Sequence, residues 1–192
     1  MSIPSILQQA HLILAGALAP GDVAVDATVG NGHDTVFLAD CVGPDGRVFG
    51  FDVQEQALAQ AANRMEESLR ADRVTLIHGG HEQMDREIPS SLHGEIGAVA
   101  FNLGYLPGSD HTITTQPATT LEALEQACDL LRDDGVITAV LYTGHEGGRA
   151  ETKAVREWAH ALPAEAYRVT VTRPLNQADP PHLLAIEGRA NG

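Results

Sequence analysis

Aromatic side chains make up only 4% of the 192 residues: one Trp, three Tyr and four Phe. A core built from this chain must therefore come mainly from Ala, Val, Leu and Ile. Basic residues are also few, 12 Lys plus Arg against 26 Asp plus Glu, for a formal charge of −14. That balance opposes a general hold on nucleic-acid phosphates. A nucleic-acid substrate then requires a local basic patch or a small recognised element. The two cysteines, Cys41 and Cys128, lie far apart and form no CxxC pair. They point to neither a disulfide framework nor a zinc site and fit a reducing cytoplasm. No apolar run approaches transmembrane length, so no membrane partner is expected. Gln8, Gln9 and His11 interrupt the apolar start, which has no basic stretch, so no secretory signal is expected. With no repeat, low-complexity segment or linker in view, residues 1–192 are expected to form one domain.

Apolar residues make up 43% and charged residues 20%, a globular balance. Ile3, Ile6, Leu7, Ala10, Leu14 and Leu18 recur at helical spacing until Pro20-Gly21. Short apolar runs then alternate with helical patterns. Strands are expected at 22–25, 47–51, 73–77, 95–101 and 136–142. Helices are expected at 33–41, 54–70, 116–131 and 149–162, with Asp133-Asp134-Gly135 ending the third. Two last strands, 167–172 and 183–187, follow one another without a helix. Alternation argues a parallel sheet covered on both faces, and the final pair argues an antiparallel hairpin at one edge. The expected architecture is an α/β, Rossmann-like, seven-stranded, mostly parallel sheet with an antiparallel terminal hairpin.

In such sheets ligands bind beyond the carboxyl ends of the strands. Polar and glycine clusters fall at those ends: 26–34, Asp52, 78–82, 102–110 and 142–148. In the first cluster Gly30 and Gly32 permit a tight turn and close backbone approach. Amides at the following helix start suit a carboxylate or phosphate. Asp52, twenty residues after Gly32, can accept hydrogen bonds from both ribose hydroxyls. A dinucleotide fingerprint would want a third glycine where Thr35 stands, which leaves a nicotinamide-dependent dehydrogenase as a rival. Asp26, ahead of the glycines, suits a cofactor with a free ammonium and no pyrophosphate, such as S-adenosylmethionine. Candidate cofactor contacts are Asp26, Thr28, Gly30, Asn31, Gly32, His33, Asp34, Asp52, Gln54, Gly80, His81 and Asn102.

After the fourth strand comes Asn102-Leu103-Gly104-Tyr105-Leu106-Pro107-Gly108. Methylation of an amine asks a protein mainly to hold the nitrogen in line with the methyl group and keep its lone pair free. The Asn102 side-chain oxygen and the Leu103 or Gly104 carbonyl are candidates to accept the amine hydrogens. Tyr105 is a candidate to pack on the methyl donor or a base. The order is analogous to the Asn/Asp-Pro-Pro-aromatic loop of amino-group methyltransferases.

DATVGNGHDTVFLA (26–39), GFDVQEQAL (50–58), FNLGYLPGSDH (101–111), YTGHEGG (142–148) and LNQADPPHLLAIE (175–187) together resemble one bacterial family. Its members, once labelled rRNA methylases, are the tRNA wobble-uridine 5-aminomethyl-2-thiouridine methyltransferases. The resemblance runs in order over nearly the whole chain. It implies a class I methyltransferase fold and methyl transfer from S-adenosyl-L-methionine, leaving S-adenosyl-L-homocysteine. The acceptor it implies is the exocyclic amine of 5-aminomethyl-2-thiouridine in the anticodon arm of tRNA. It further implies that Asn31, His33, Asp52, Gln54 and His81 contact cofactor, that residues 102–106 face the amine, and that the protein is a homodimer. The sequence departs from the family pattern at Ser109, His111 and His182.

A substrate ammonium must lose a proton before it attacks, and Asp110 and His145 are candidates for that base. Leu106, Tyr142, Arg149 and Lys153 are candidate substrate contacts. Arg149, Lys153 and Arg156 fall on neighbouring turns of one helix, diluted by Glu151 and Glu157. Nine histidines invite a metal reading, yet no His-Glu-x-x-His pattern exists, and no metal is expected. Two further rivals stand beside the tRNA reading: a methyltransferase for an rRNA or small-molecule amine, and a module that binds the cofactor without turnover.

Overall fold

Ser5 opens the first helix with a reciprocal cap. Its hydroxyl accepts from the Gln8 backbone at 3.2 Å, and the Gln8 side chain accepts from the Ser5 backbone at 2.8 Å. In the computed structural model, which describes residues 3–104 and 114–190, this helix is α1 (Ile6–Ala17), burying Ile6, Ala10 and Leu14. That four-residue spacing is one helical stripe laid on the sheet. The remaining helices are α2 (His33–Val42), α3 (Glu55–Glu67), α4 (Met84–Glu87), α5 (Pro117–Leu130) and α6 (Gly148–His160). The strands are β1 (Val23–Asp26), β2 (Arg47–Asp52), β3 (Val74–His78), β4 (Ile96–Leu103), β5 (Leu131–Leu141), β6 (Tyr167–Thr172) and β7 (His182–Gly188).

The strands make one sheet in the order β3-β2-β1-β4-β5-β7-β6. The first five are parallel, and β7 runs antiparallel between β5 and β6. The expected terminal hairpin is present, with the later strand on the inside. Patterning explains the order: β7 is buried along most of its length, whereas β6 has only two partly buried residues, Tyr167 and Val169, and is otherwise exposed. Only a strand apolar on both faces can occupy an interior position.

Helices α1, α2 and α3 cover one face and α4, α5 and α6 the other. The aromatic contribution to the buried core is three phenylalanines, Phe49, Phe51 and Phe101; aliphatic residues and alanine supply nearly all the rest. Two boundaries differ from the sequence expectation. The third helix ends at Glu67 rather than residue 70, because Leu69 turns to φ 59°. Asp133-Asp134-Gly135 does not end a helix but bulges inside the start of β5, with Asp134 at φ 60° and the register to β4 broken there.

The order in which strands join the sheet reverses at β1: β2 and β3 lie to one side of β1, and β4 and β5 to the other. Such a switch point opens a crevice at the carboxyl ends of the strands. Among the described residues no helix is long and apolar enough to cross a membrane.

Candidate active site

Beyond β1 the chain turns through residues 27–32 into α2. Gly32 sits at φ 77°, and a Cβ there would lie 2.9 Å from the Ala61 Cβ of α3. Glycine is thus required twice over, for its backbone angle and for the close approach of α2 to α3. Gly32 faces that packing rather than the crevice, which differs from the expected cofactor contact. Gly30 donates its backbone N–H to Asp52 Oδ2 at 2.8 Å, and the Gln54 N–H donates to Asp52 Oδ1 at 2.8 Å. The carboxylate at the end of β2 is therefore locked in place, with acceptor capacity remaining on each oxygen.

Asp26, a candidate for the cofactor site by its sequence position, lies underneath that site. It is fully buried, accepting from Thr35 Oγ1 at 2.6 Å and from the Thr28 N–H at 3.2 Å. Its side chain braces the turn and does not line the crevice. Burial first, and the charge of Asp34 second, push its carboxyl up to about 7. A carboxyl raised in this way favours folding fully only below its unfolded value, 3.8, and loses that contribution as pH rises through about 7. Resistance to urea unfolding of the wild type should therefore fall from about pH 4 to 7, with a slope of up to about 1.4 kcal/mol per pH unit from this group. Asp26→Asn should remove that component. A stability difference between the two proteins that stays constant over this range would mean Asp26 is charged throughout.

The crevice is a cleft of about 710 Å³ at the switch point. The first loop contributes Thr28, Gly30, Asn31, His33 and Asp34. The ends of β2 and β3 contribute Asp52, Gln54, Gly80 and His81. From β4 and β5 come Asn102, Gly104, Tyr142 and His145. Gly148 lets the last of these loops close, since a Cβ there would meet the Tyr142 carbonyl oxygen at 2.4 Å and His145 Cε1 at 2.6 Å. Tyr105, Leu106 and Asp110, with Ser109 and His111, lie outside the described residues.

His81 is 7% exposed and packs edge-on against Phe101. Burial pushes its pKa down, so the ring is neutral near pH 7. The ring bonds the backbone at Ala27, while Nε2 has no partner among the described residues.

Asn102 is held from two sides. Its backbone N–H donates to Thr28 Oγ1 at 2.7 Å, and its side-chain Nδ2 donates to Asp34 Oδ2 at 2.6 Å. An ionised carboxylate only accepts hydrogen bonds, so the nitrogen of the Asn102 amide must face Asp34. The amide oxygen is then the group left for the cleft. Asp34 is fixed in turn by His11 Nε2 at 2.8 Å, and that ring stacks on Phe37 at 4.1 Å. Asp34, expected among the cofactor contacts, thus makes its hydrogen bonds to Asn102 and His11.

His11 had no part in the sequence expectation beyond interrupting an apolar stretch. Leu7, one turn earlier, also lines the cleft, so α1 forms part of its wall. Thr114, Thr115, Gln116 and Thr119 line it as well. Their only sequence signal was position, just after the fourth strand-end loop. Asp179 and Pro181, from the segment between the last two strands, line it too.

Arg149 and Lys153 do not reach this cleft. Arg149 pairs with Asp179 at 2.8 Å and Lys153 with Glu157 at 3.8 Å, all of them exposed. Helical rotation puts 149, 153 and 156 on the outer face of α6 and turns 151 and 155 inward. Glu151 therefore does not dilute the basic stripe. It is buried and accepts from Thr115 Oγ1 and Thr120 Oγ1, both at 2.7 Å, tying α6 to the start of α5. Among the described residues no three His, Cys, Asp or Glu side chains form a group able to hold a metal.

A family model described as "Putative rRNA methylase" matches residues 48–187. A chloroplastic tRNA (mnm(5)s(2)U34)-methyltransferase of Arabidopsis thaliana is 33% identical over 190 residues, 95% of this chain and 69% of that protein. The crystal structure of an rRNA methylase, so described, from Clostridium thermocellum matches with a TM-score of 0.94 and 43% identity, covering 98% of this chain and 100% of that one. A Streptococcus mutans protein described as "a putative methyltransferase", solved in complex with SAH, matches with a TM-score of 0.87 and 36% identity, covering 97% of this chain and 99% of that one. The cleft fits S-adenosyl-L-methionine. Asp52 would hold the ribose hydroxyls, the loop from Thr28 to His33 would hold the amino-acid part, and the partnerless His81 Nε2 would meet a polar edge of the adenine. The sheet order, the locked Asp52 and these likenesses agree, and the chain belongs to the rRNA methylase family of class I enzymes as an S-adenosyl-L-methionine-dependent methyltransferase.

Proposed function

We propose that the enzyme methylates the exocyclic amine of 5-aminomethyl-2-thiouridine at the tRNA wobble position, giving the 5-methylaminomethyl form. The observation that carries this reading is the 2.6 Å bond from Asn102 to Asp34, which orients the amide. The likeness to the Arabidopsis tRNA enzyme supports the acceptor.

The cofactor supplies a methyl group already activated by its sulfonium. The work left to the protein is positioning. Asn102 Oδ1 accepts one amine hydrogen, and the Gly104 backbone carbonyl, which also takes the Thr115 N–H at 3.0 Å, accepts a second; the Leu103 carbonyl is bonded to the Tyr142 N–H at 3.1 Å and lies outside the cleft lining. Two acceptors of this kind aim the remaining lone pair into the cleft but do not disfavour a protonated, unreactive nitrogen, so the amine must lose its proton before it attacks. His145 lines the same cleft and is a candidate to take the proton. Asp34 positions Asn102, and His11 positions Asp34. The same reading includes a homodimer working in the cytoplasm.

The test is transfer of labelled methyl from S-adenosyl-L-methionine to two tRNA pools, one carrying 5-aminomethyl-2-thiouridine and one lacking it. Label confined to the first pool is expected. The net charge of −14 favours a second reading, methylation of a small-molecule amine or of an rRNA element. Label in rRNA or a small amine, with none in either tRNA pool, would replace the first reading by the second.

A further inference from the structure

A second cleft, of about 990 Å³, lies between α6 and the β6–β7 pair. Four of the chain's 12 Lys and Arg residues line it: Arg149, Lys153, Arg156 and Arg173. The acidic lining residues are Glu157 and Asp179. In a chain of charge −14 this is a local reversal of sign. Arg149 and Lys153 spend part of their charge on exposed carboxylates. Arg156 and Arg173 have no carboxylate partner among the described residues.

Those two guanidiniums share a neighbour. His182, opposite Leu141 in the sheet, is 6% exposed, and its Nδ1 has no hydrogen-bond partner among the described residues. Burial first, then the charges of Arg156 and Arg173, keep this ring neutral. Two cations near one buried neutral imidazole repel each other, and an anion seated there would relieve the repulsion. The position of the cleft narrows the choice of anion. Thr143 and Asp179 line both clefts, so the basic one continues directly from the mouth of the methyl-transfer cleft.

We propose that the cleft formed by Arg156, Arg173 and His182 seats backbone phosphates of the RNA whose base enters the methyl-transfer cleft. This rests on the RNA reading above and explains how an acidic chain docks a polyanion: one short basic channel serves where a basic surface is absent. Neither Arg156 nor Arg173 lines the reaction cleft, so their role is separable from chemistry.

The test is a double variant, Arg156→Gln with Arg173→Gln. Binding of an unmodified anticodon stem–loop RNA is followed by fluorescence anisotropy across a salt series, and turnover is followed with 5-aminomethyl-2-thiouridine tRNA. Expected are a roughly tenfold weaker RNA affinity and a log K against log salt slope reduced by about 1.4, at about 0.7 for each single-strand phosphate no longer neutralised. KM for tRNA should rise, while kcat, cofactor affinity and thermal midpoint hold. Unchanged RNA affinity and slope would overturn the proposal. So would a change of oligomeric mass without a change in RNA affinity, since the cleft would then be an interface between copies. If the wild type binds RNA with a salt slope that the variant loses, yet methylates no tRNA amine, the tRNA reading fails and the phosphate seat stands. If tRNA is methylated equally by both proteins, the tRNA reading stands and the phosphate seat fails.

Discussion

Asn102→Ala is expected to lower kcat for methyl transfer by roughly 10²–10³-fold, with a much smaller change in cofactor affinity. The size follows from what one positioned polar group contributes when it acts on the reacting atom. Alanine removes the oxygen that would hold the amine and also strands the Asp34 carboxylate, which loses its 2.6 Å donor. Asp34→Ala separates these effects. It leaves the Asn102 oxygen in place but frees the amide to rotate, so a smaller loss, about tenfold, is expected. Single-turnover rates with bound cofactor measure both. An Asn102→Ala rate within about threefold of wild type would remove Asn102 from the chemistry.

Asp52→Ala is expected to weaken S-adenosyl-L-methionine binding by roughly 100-fold. Hydrogen bonds to a charged group contribute about 1.5–3 kcal/mol each, and a factor of ten costs about 1.4 kcal/mol. Asp52 would accept from the ribose, and it also pins the cofactor loop through the Gly30 and Gln54 amides at 2.8 Å. Both contributions vanish together in alanine. Asp52→Asn retains one acceptor and replaces the other by a donor facing a backbone N–H, so its affinity should fall between the two. Titration calorimetry gives the three constants directly. A dissociation constant for Asp52→Ala within about threefold of wild type would mean the ribose is held elsewhere.

The alternation of apolar runs with helical patterns was enough to place every strand and the five longer helices, because periods of 2 and 3.6 are local properties of a chain. Asp26-to-Gly32 and Asp52 marked the cofactor end for a similar reason: special backbone angles and strand-end acids are written in residue type. The internal order of the last two strands was not legible in that way. It depends on which of them can be buried on both faces, and β7 alone has that pattern. The bulge at residues 133–135 was likewise hidden, since Asp-Asp-Gly signals a break without saying whether a helix ends or a strand is interrupted.

Residue type by itself therefore determined the fold class, the carboxyl edge where ligands bind, and the polar groups available there. Tertiary structure decided what each group faces. Sequence spacing suggested Asp26 and Asp34 as equals in one loop. Folding buries the first as a brace for the turn and sets the second between His11 and Asn102, 23 and 68 residues away in the chain. Helical rotation likewise separates Glu151 from Arg149 and Lys153 on one helix, and the packing of α6 decided that the carboxylate is buried against α5 while the cations line a separate cleft. The reason is physical: backbone angles and helical rotation are set within a few residues, whereas the partner of a polar side chain is set by whichever distant element closes over it.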